Sequence, residues 1–290
     1  MTLSIAWVRK IKDYQELVIA TDSRLRGGYT WDCCPKIIIL PRSDSVICFA
    51  GRTEYAYPLM LQMRLAIEMY PKSRNRAMDI HKMKGHTLNI FNSMRDLISD
   101  LPKGMIELED PETFFLLGGY SWKRKSFEVW FLHYDSRIKK FTFRPTRPWR
   151  GVDDLRKIAF AGFPPEIVEE AKARLIELLR QRNRLSIGGF DMEPFEVLRD
   201  MIRENVSPYV GGSPQMVKVY QHMNCVPFAI FWPNREAKTK TLIGRPLLIY
   251  ESTPCPILDP DTLKVHHLFH LNKEEALFDD EFDSNTDTVS

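Results

Sequence analysis

The period of the hydrophobic pattern switches repeatedly along the chain, and this order of switches limits the fold more than any single motif. Leu3, Ile5 and Trp7 alternate with the small residues Thr2, Ser4 and Ala6, the period-two pattern of a half-buried strand. KIKDYQE turns the chain, LVIATDSR returns it, and KIIIL (36–40) and SVICFA (45–50) read as two more strands. The period then becomes helical. Leu59, Met63, Ala66, Ile67 and Tyr70 share a face that Pro71 closes, and Ile80, Met83, Thr87, Ile90, Met94, Leu97 and Leu101 predict a second helix closed by Pro102.

Strands are expected again at 113–118, 127–134, 138–143 and 157–162. Helices follow at 166–181 and 193–204, then strands at 215–220, 227–232 and 247–250. Segregated blocks of strands and helix pairs argue for an α+β layering rather than alternating βαβ units. Two sheets with a helix pair outside each would account for the order. Residues 1–250 then form one domain, and 251–290 a proline-rich, acidic extension whose last fifteen residues are expected to carry no structure.

Charge excludes little. The formal net charge is +3 over 290 residues, so it names no partner. Nine Lys/Arg against two acids fall between Trp122 and Arg150, and six acids with no base between Glu274 and Asp283. The basic stretch interleaves aromatics as single-strand nucleic-acid platforms do, but core-facing rings with solvated lysines explain it more simply. His266 and His270 stand four apart, as a metal pair on a helix would, without matching carboxylates; no metal or other cofactor is expected. The five cysteines (Cys33, Cys34, Cys48, Cys225, Cys255) lack zinc spacing and read as reduced thiols of a cytoplasmic protein. The N-terminus reaches charge by Arg9 without an apolar core, unlike a signal peptide, and no stretch approaches the ~20 apolar residues of a membrane span.

TLSIAWV, VIATDSR, CPKIII and ICFAG before a helix, in this order, resemble the proteasome β-type family and its simpler bacterial relatives. FFLLGGY, IAFAGF and SPYVGGSPQMVKVY echo later parts, so the resemblance runs from Thr2 to about Tyr220. It implies the four-layer αββα sandwich of N-terminal-nucleophile hydrolases. Matched position by position, it makes Thr2 the nucleophile, Lys36 the cation beside it, Asp22 the partner of Lys36, and the Gly51 backbone N–H the oxyanion donor. Leu25, Cys34 and Phe49 would line the substrate pocket, implying an apolar preference. The substrate implied is a peptide or unfolded protein, and the assembly a homo-oligomeric ring, with a separate ATPase as an allowed partner. The chain itself holds no phosphate-binding G-x-x-x-x-G-K-[ST] loop.

The chemistry suits those residues. A threonine hydroxyl needs a base, and a terminal threonine supplies its own α-amine, with a pKa of about 7.7–8.0. Met1 precedes Thr2, and threonine is small enough for methionine aminopeptidase to remove it. The family's other polar groups are altered: Ala161 or Phe163 stands where a serine is usual, Ser207 where an aspartate is, Val210 where a second serine is, and Arg52 follows Gly51. That pattern supports an alternative, a catalytically silent scaffold or regulatory subunit.

Overall fold

A computed structural model describes residues 2–99, 109–146, 157–185 and 189–267. Strand β1 (Thr2–Ile11) and strand β2 (Tyr14–Thr21) form the expected hairpin, turned by Lys12 and Asp13. Two short strands, β3 (Leu25–Gly27) and β4 (Tyr29–Trp31), make a small hairpin of their own. Strands β5 (Ile37–Ile39) and β6 (Ser45–Gly51) precede helix α1 (Thr53–Met69), the single turn α2 (Pro71–Arg74) and helix α3 (Ile80–Arg95). Asp79 caps α3 by accepting from the His81 N–H at 3.2 Å.

Strands β7 (Thr113–Ser121), β8 (Ser126–Asp135), β9 (Lys140–Pro145) and β10 (Ile158–Phe163) follow. Helix α4 (Pro165–Gln181) starts on a proline and buries Ile167, Ala171, Leu175 and Leu179 at a spacing of four. Helix α5 (Glu193–Arg203) leads to β11 (Gln215–Tyr220) and β12 (Cys225–Phe231). Four short strands end the described chain: β13 (Lys240–Leu242), β14 (Arg245–Pro246), β15 (Ile257–Leu258) and β16 (Val265–His266).

One sheet runs β10-β1-β2-β11-β12-β13-β14, with β15 joining β12 and β16 joining β15; a second runs β5-β6-β7-β8-β9. Every pairing is antiparallel except β12 with β15 and an isolated bridge between Arg9 and Phe190. The alternation in β1 sorts its side chains between two cores. Leu3, Ile5 and Trp7 pack with α4 and α5, whereas Ala6 and Val8 pack with Val46, Cys48 and Leu116 of the second sheet. β1 is therefore buried on both faces from Thr2 to Val8, not half-buried as its alternation suggested. The small residues mark the face where the second sheet approaches. A third core lies between that sheet and α1 and α3.

The four-layer αββα sandwich expected from the resemblance is corrected here. The chain is mostly antiparallel sheet, 36% strand against 27% helix, with open sheets and few helices. A helix is about 10 Å across and strands lie about 4.8 Å apart, so two helices span about four strands. The large sheet has nine, and of the five described helices one is a single turn. Sequence reading missed this balance because β13–β16 are only two or three residues long and show no period. The strand expected at 247–250 is instead a loop, and the second helix stops at Arg95, leaving Leu97 exposed.

Candidate active site

Thr2 begins the central hairpin, paired with Phe163 of β10, while Asp22 directly follows the last residue of β2. Lys36 directly precedes β5, which belongs to the other sheet. The site thus forms where the ends of two sheets meet, from residues 20 and 34 positions apart. All three side chains are wholly buried.

Asp22 is the hub. Its Oδ1 accepts from the Thr2 hydroxyl at 2.9 Å, the Lys36 ammonium at 2.9 Å and the Leu3 N–H at 3.2 Å. Its Oδ2 accepts from the N–H groups of Arg24 at 3.0 Å and Gly211 at 3.1 Å. Lys36 Nζ also donates to Thr2 Oγ1. Burial pushes the Lys36 ammonium below the ordinary lysine range, and the Asp22 carboxylate opposes that shift. A buried lysine so placed gives up a proton more readily than a surface lysine.

Chemically, the hydroxyl has a nitrogen of lowered basicity on one side and a fixed carboxylate on the other. That is the arrangement a threonine nucleophile requires: a group to receive or screen the proton, and a group to hold it in place.

Against models of known families the chain has no match, and no curated protein is similar to it at a significant level.

Gly51 ends β6 opposite Thr113 with φ of +105°, and a Cβ there would lie 1.9 Å from the Glu112 carbonyl oxygen. Only glycine fits this turn into α1. Leu25 is half-buried and packs on the cluster that contains Phe49. Phe49 is wholly buried, edge-on to Tyr57 with ring centres 5.2 Å apart, and Cys34 is half-buried with its thiol pushed up by burial. The Tyr57 hydroxyl donates to the Pro35 carbonyl at 3.0 Å, tying α1 to the segment that carries Cys34 and Lys36. An open cavity of about 460 Å³ has Arg24, Asp32, Gly212, Ser213 and Trp232 in its wall, and its lining includes neither Thr2 nor Lys36.

The altered positions have clear places. Ala161 faces Ser4 across β1 and β10, Phe163 faces Thr2, and Val210 is buried in the core with α5. The Ser207 hydroxyl accepts from the Tyr209 N–H within its own loop. Arg52 sits at the N-terminus of α1 in ion pairs with Glu54, Glu109 and Glu112.

Sequence reading missed Gln215, whose side chain reaches the segments carrying both Asp22 and Lys36. It also missed the Gly211 N–H and the hydroxyls of Ser4 and Thr21. Ser4 Oγ donates to Thr21 Oγ1 at 2.9 Å or to the Phe49 carbonyl at 3.0 Å, and Thr21 Oγ1 donates to the Leu3 carbonyl at 3.0 Å. The only signal for Gln215 was a polar residue opening a largely apolar, buried strand.

The remaining expectations fall as follows. All five cysteines are free thiols. Phe127, Trp130 and Phe141 of the basic stretch are buried, Trp122 and Phe143 are exposed, and Arg147 and Arg150 lie outside the described residues. His266 is in a strand rather than on a helix, and His270 and the acidic residues 274–283 lie outside the described residues. Among the described residues no group of three His, Cys, Asp or Glu side chains is placed to hold a metal, and no helix is long and apolar enough to cross a membrane.

Proposed function

We propose that the protein is a threonine-nucleophile amidohydrolase that cleaves peptide bonds through Thr2 once Met1 is removed. The observation that carries the reading is the shared contact of one buried lysine, Lys36, with both the Thr2 hydroxyl and the Asp22 carboxylate.

In this reading the freed Thr2 α-amine takes the hydroxyl proton, directly or through water, as Thr2 Oγ1 attacks the carbonyl carbon. Lys36 favours the developing negative charge on oxygen, and Asp22 holds Lys36 and the hydroxyl in register. The Gly51 N–H is assigned to the oxyanion by resemblance. The proton passes to the leaving amine as the C–N bond breaks, leaving an ester on Thr2 that water then hydrolyses. Leu25, Cys34, Phe49 and Tyr57 would favour an apolar side chain next to the cleaved bond. A homo-oligomeric ring, peptide or unfolded-protein substrates, an ATPase partner and a cytoplasmic setting belong to the same proposal; free thiols at all five cysteines support the last.

A second reading is a silent scaffold with the same buried triad. It is favoured by the apolar Ala161, Phe163 and Val210 where polar groups would support the nucleophile, and by the complete burial of Thr2. Hydrolysis of fluorogenic peptides by the wild type and by Thr2→Ala separates the two. Turnover that the variant loses and Thr2→Ser partly keeps supports the hydrolase; equal rates in wild type and Thr2→Ala support the scaffold.

A further inference from the structure

Three segments converge behind Thr2, and a single amide joins them. Gln215 opens β11 opposite Thr21 and is wholly buried. Its Oε1 accepts from the Lys36 N–H at 3.0 Å, and its Nε2 donates to the carbonyls of Cys34 at 2.7 Å and Asp22 at 3.3 Å. Both ends of the amide are therefore used, and the orientation is forced: a flipped amide would set Nε2 against an N–H and Oε1 against two carbonyls.

The partners are the backbones of the two residues that hold the Thr2 hydroxyl, plus the residue two before the lysine. Lys36 directly precedes a strand of only three residues, so the sheet alone fixes its backbone weakly. The rest of the local frame depends on the same region. The Cys34 N–H donates to the Ser23 carbonyl at 3.1 Å, the Ser23 N–H donates to the Gly211 carbonyl at 3.0 Å, and the Ser23 hydroxyl donates to the Ser213 carbonyl.

We propose that Gln215 is a positioning residue for the Thr2 site: its carboxamide sets the distance between the backbones of Asp22 and Lys36 and so aims the lysine ammonium at both the carboxylate and the threonine hydroxyl. The proposal rests on the hydrolase reading for its catalytic consequence but not for its geometric one. It also accounts for the apolar residues at 161, 163 and 210. The polar support those positions lack is supplied from β11, through backbone contacts rather than through a second set of hydroxyls.

The groups that act on Lys36 include the Asp22 carboxylate and Thr2 hydroxyl in direct contact and, electrostatically, Asp32, the Cys34 thiol and the Arg24 guanidinium. Gln215→Glu keeps shape and the Oε1 acceptor but sets a carboxylate against two carbonyls and adds an anion beside Lys36. Gln215→Met keeps length and loses all three bonds.

The test uses the full chain with ¹³C-labelled lysine, so that Lys36 is titrated by its side-chain shift, alongside the rate at which a threonine-directed β-lactone modifies Thr2 as a function of pH. Thermal unfolding establishes that each variant is folded, with Gln215→Asn as a third, smaller change. The expected result is a Lys36 titration moved downward in Gln215→Met, which adds no charge and loosens the lysine from Asp22; the upward move in Gln215→Glu follows from its added carboxylate alone. Labelling should be about a hundredfold slower in Gln215→Met, the loss typical of misplaced reacting groups. A folded Gln215→Met with an unchanged Lys36 titration overturns the proposal, whatever the lactone does. If the wild type is not labelled while the titration moves as expected, the positioning role stands and the hydrolase reading falls.

Discussion

The β1–β2 hairpin has a buried lysine–carboxylate pair at each end, and only one of them also holds a threonine hydroxyl. At the Thr2 end, Lys36 meets Asp22 at 2.9 Å; at the other, Lys218 of β11 meets Glu16 of β2, also at 2.9 Å. Burial pushes both lysines below the usual range, and in each case the carboxylate opposes it. The difference lies in the third member. Asp22 shares its oxygen with a hydroxyl, whereas Glu16 shares its oxygen with the Arg9 guanidinium at 3.0 Å, which also binds Asp191 at 2.5 Å. Lys218 lies over the Phe228 ring, 4.9 Å from its centre, while Lys36 lies against Thr2. A buried lysine of lowered basicity is thus not a site by itself. The hydroxyl within reach of Lys36 is what the proposed hydrolase site adds to the pair.

Variants at the two ends should break this symmetry. The largest effect is expected from Thr2→Ala, which should abolish lactone labelling and cost about 1–3 kcal/mol of stability through the lost buried hydroxyl. Lys36→Met should slow labelling about 10²–10³-fold, the loss typical of one electrostatic stabiliser. Lys218→Met should leave labelling at the wild-type level, although both are removals of one buried lysine. Equal losses in the two would mean that the second pair acts on the first through the hairpin.

Stability should show the reverse pattern. Glu16→Ala leaves Lys218 and Arg9 facing each other in a buried site and should cost about 3–5 kcal/mol in urea unfolding. Ser4→Ala breaks the hydroxyl link between β1 and the Phe49 carbonyl and should cost about 1–3 kcal/mol, with labelling slowed only slightly. The smallest effect is an acid transition in the exposed 245–251 loop. Arg245 and the Leu248 N–H hold the Glu251 carboxyl down to about 2, so this support is full above the ordinary glutamate value and is lost as pH falls through about 2. The amide shift of Leu248 should follow that titration, and Glu251→Gln should remove it.

Much of the site was legible because its residues sit beside strong punctuation. Thr2 opens an alternating strand, Asp22 ends the returning one, Lys36 precedes three isoleucines, and Gly51 ends a strand before a helix. Thr2, Asp22 and Lys36 come within hydrogen-bond reach of one another; for Gly51, the conformation alone is given by the fold. Gln215 was not legible, because its role depends on which backbone groups happen to lie opposite it, and no local pattern encodes that. The strand blocks and main helices were legible from period. The balance of sheet to helix was not, since the short strands after Phe231 contribute pairing without periodicity, and the burial of both faces of β1 depends on a sheet formed 40 residues later.

The central claim is that Thr2 becomes a terminal nucleophile. Its most direct test is the intact mass of the purified chain, read to single-residue precision before and after a threonine-directed β-lactone. The account predicts a chain without Met1 that gains one adduct, mapped to Thr2 and absent from Thr2→Ala. A chain that loses Met1 yet gains no adduct, or gains one elsewhere, would contradict it.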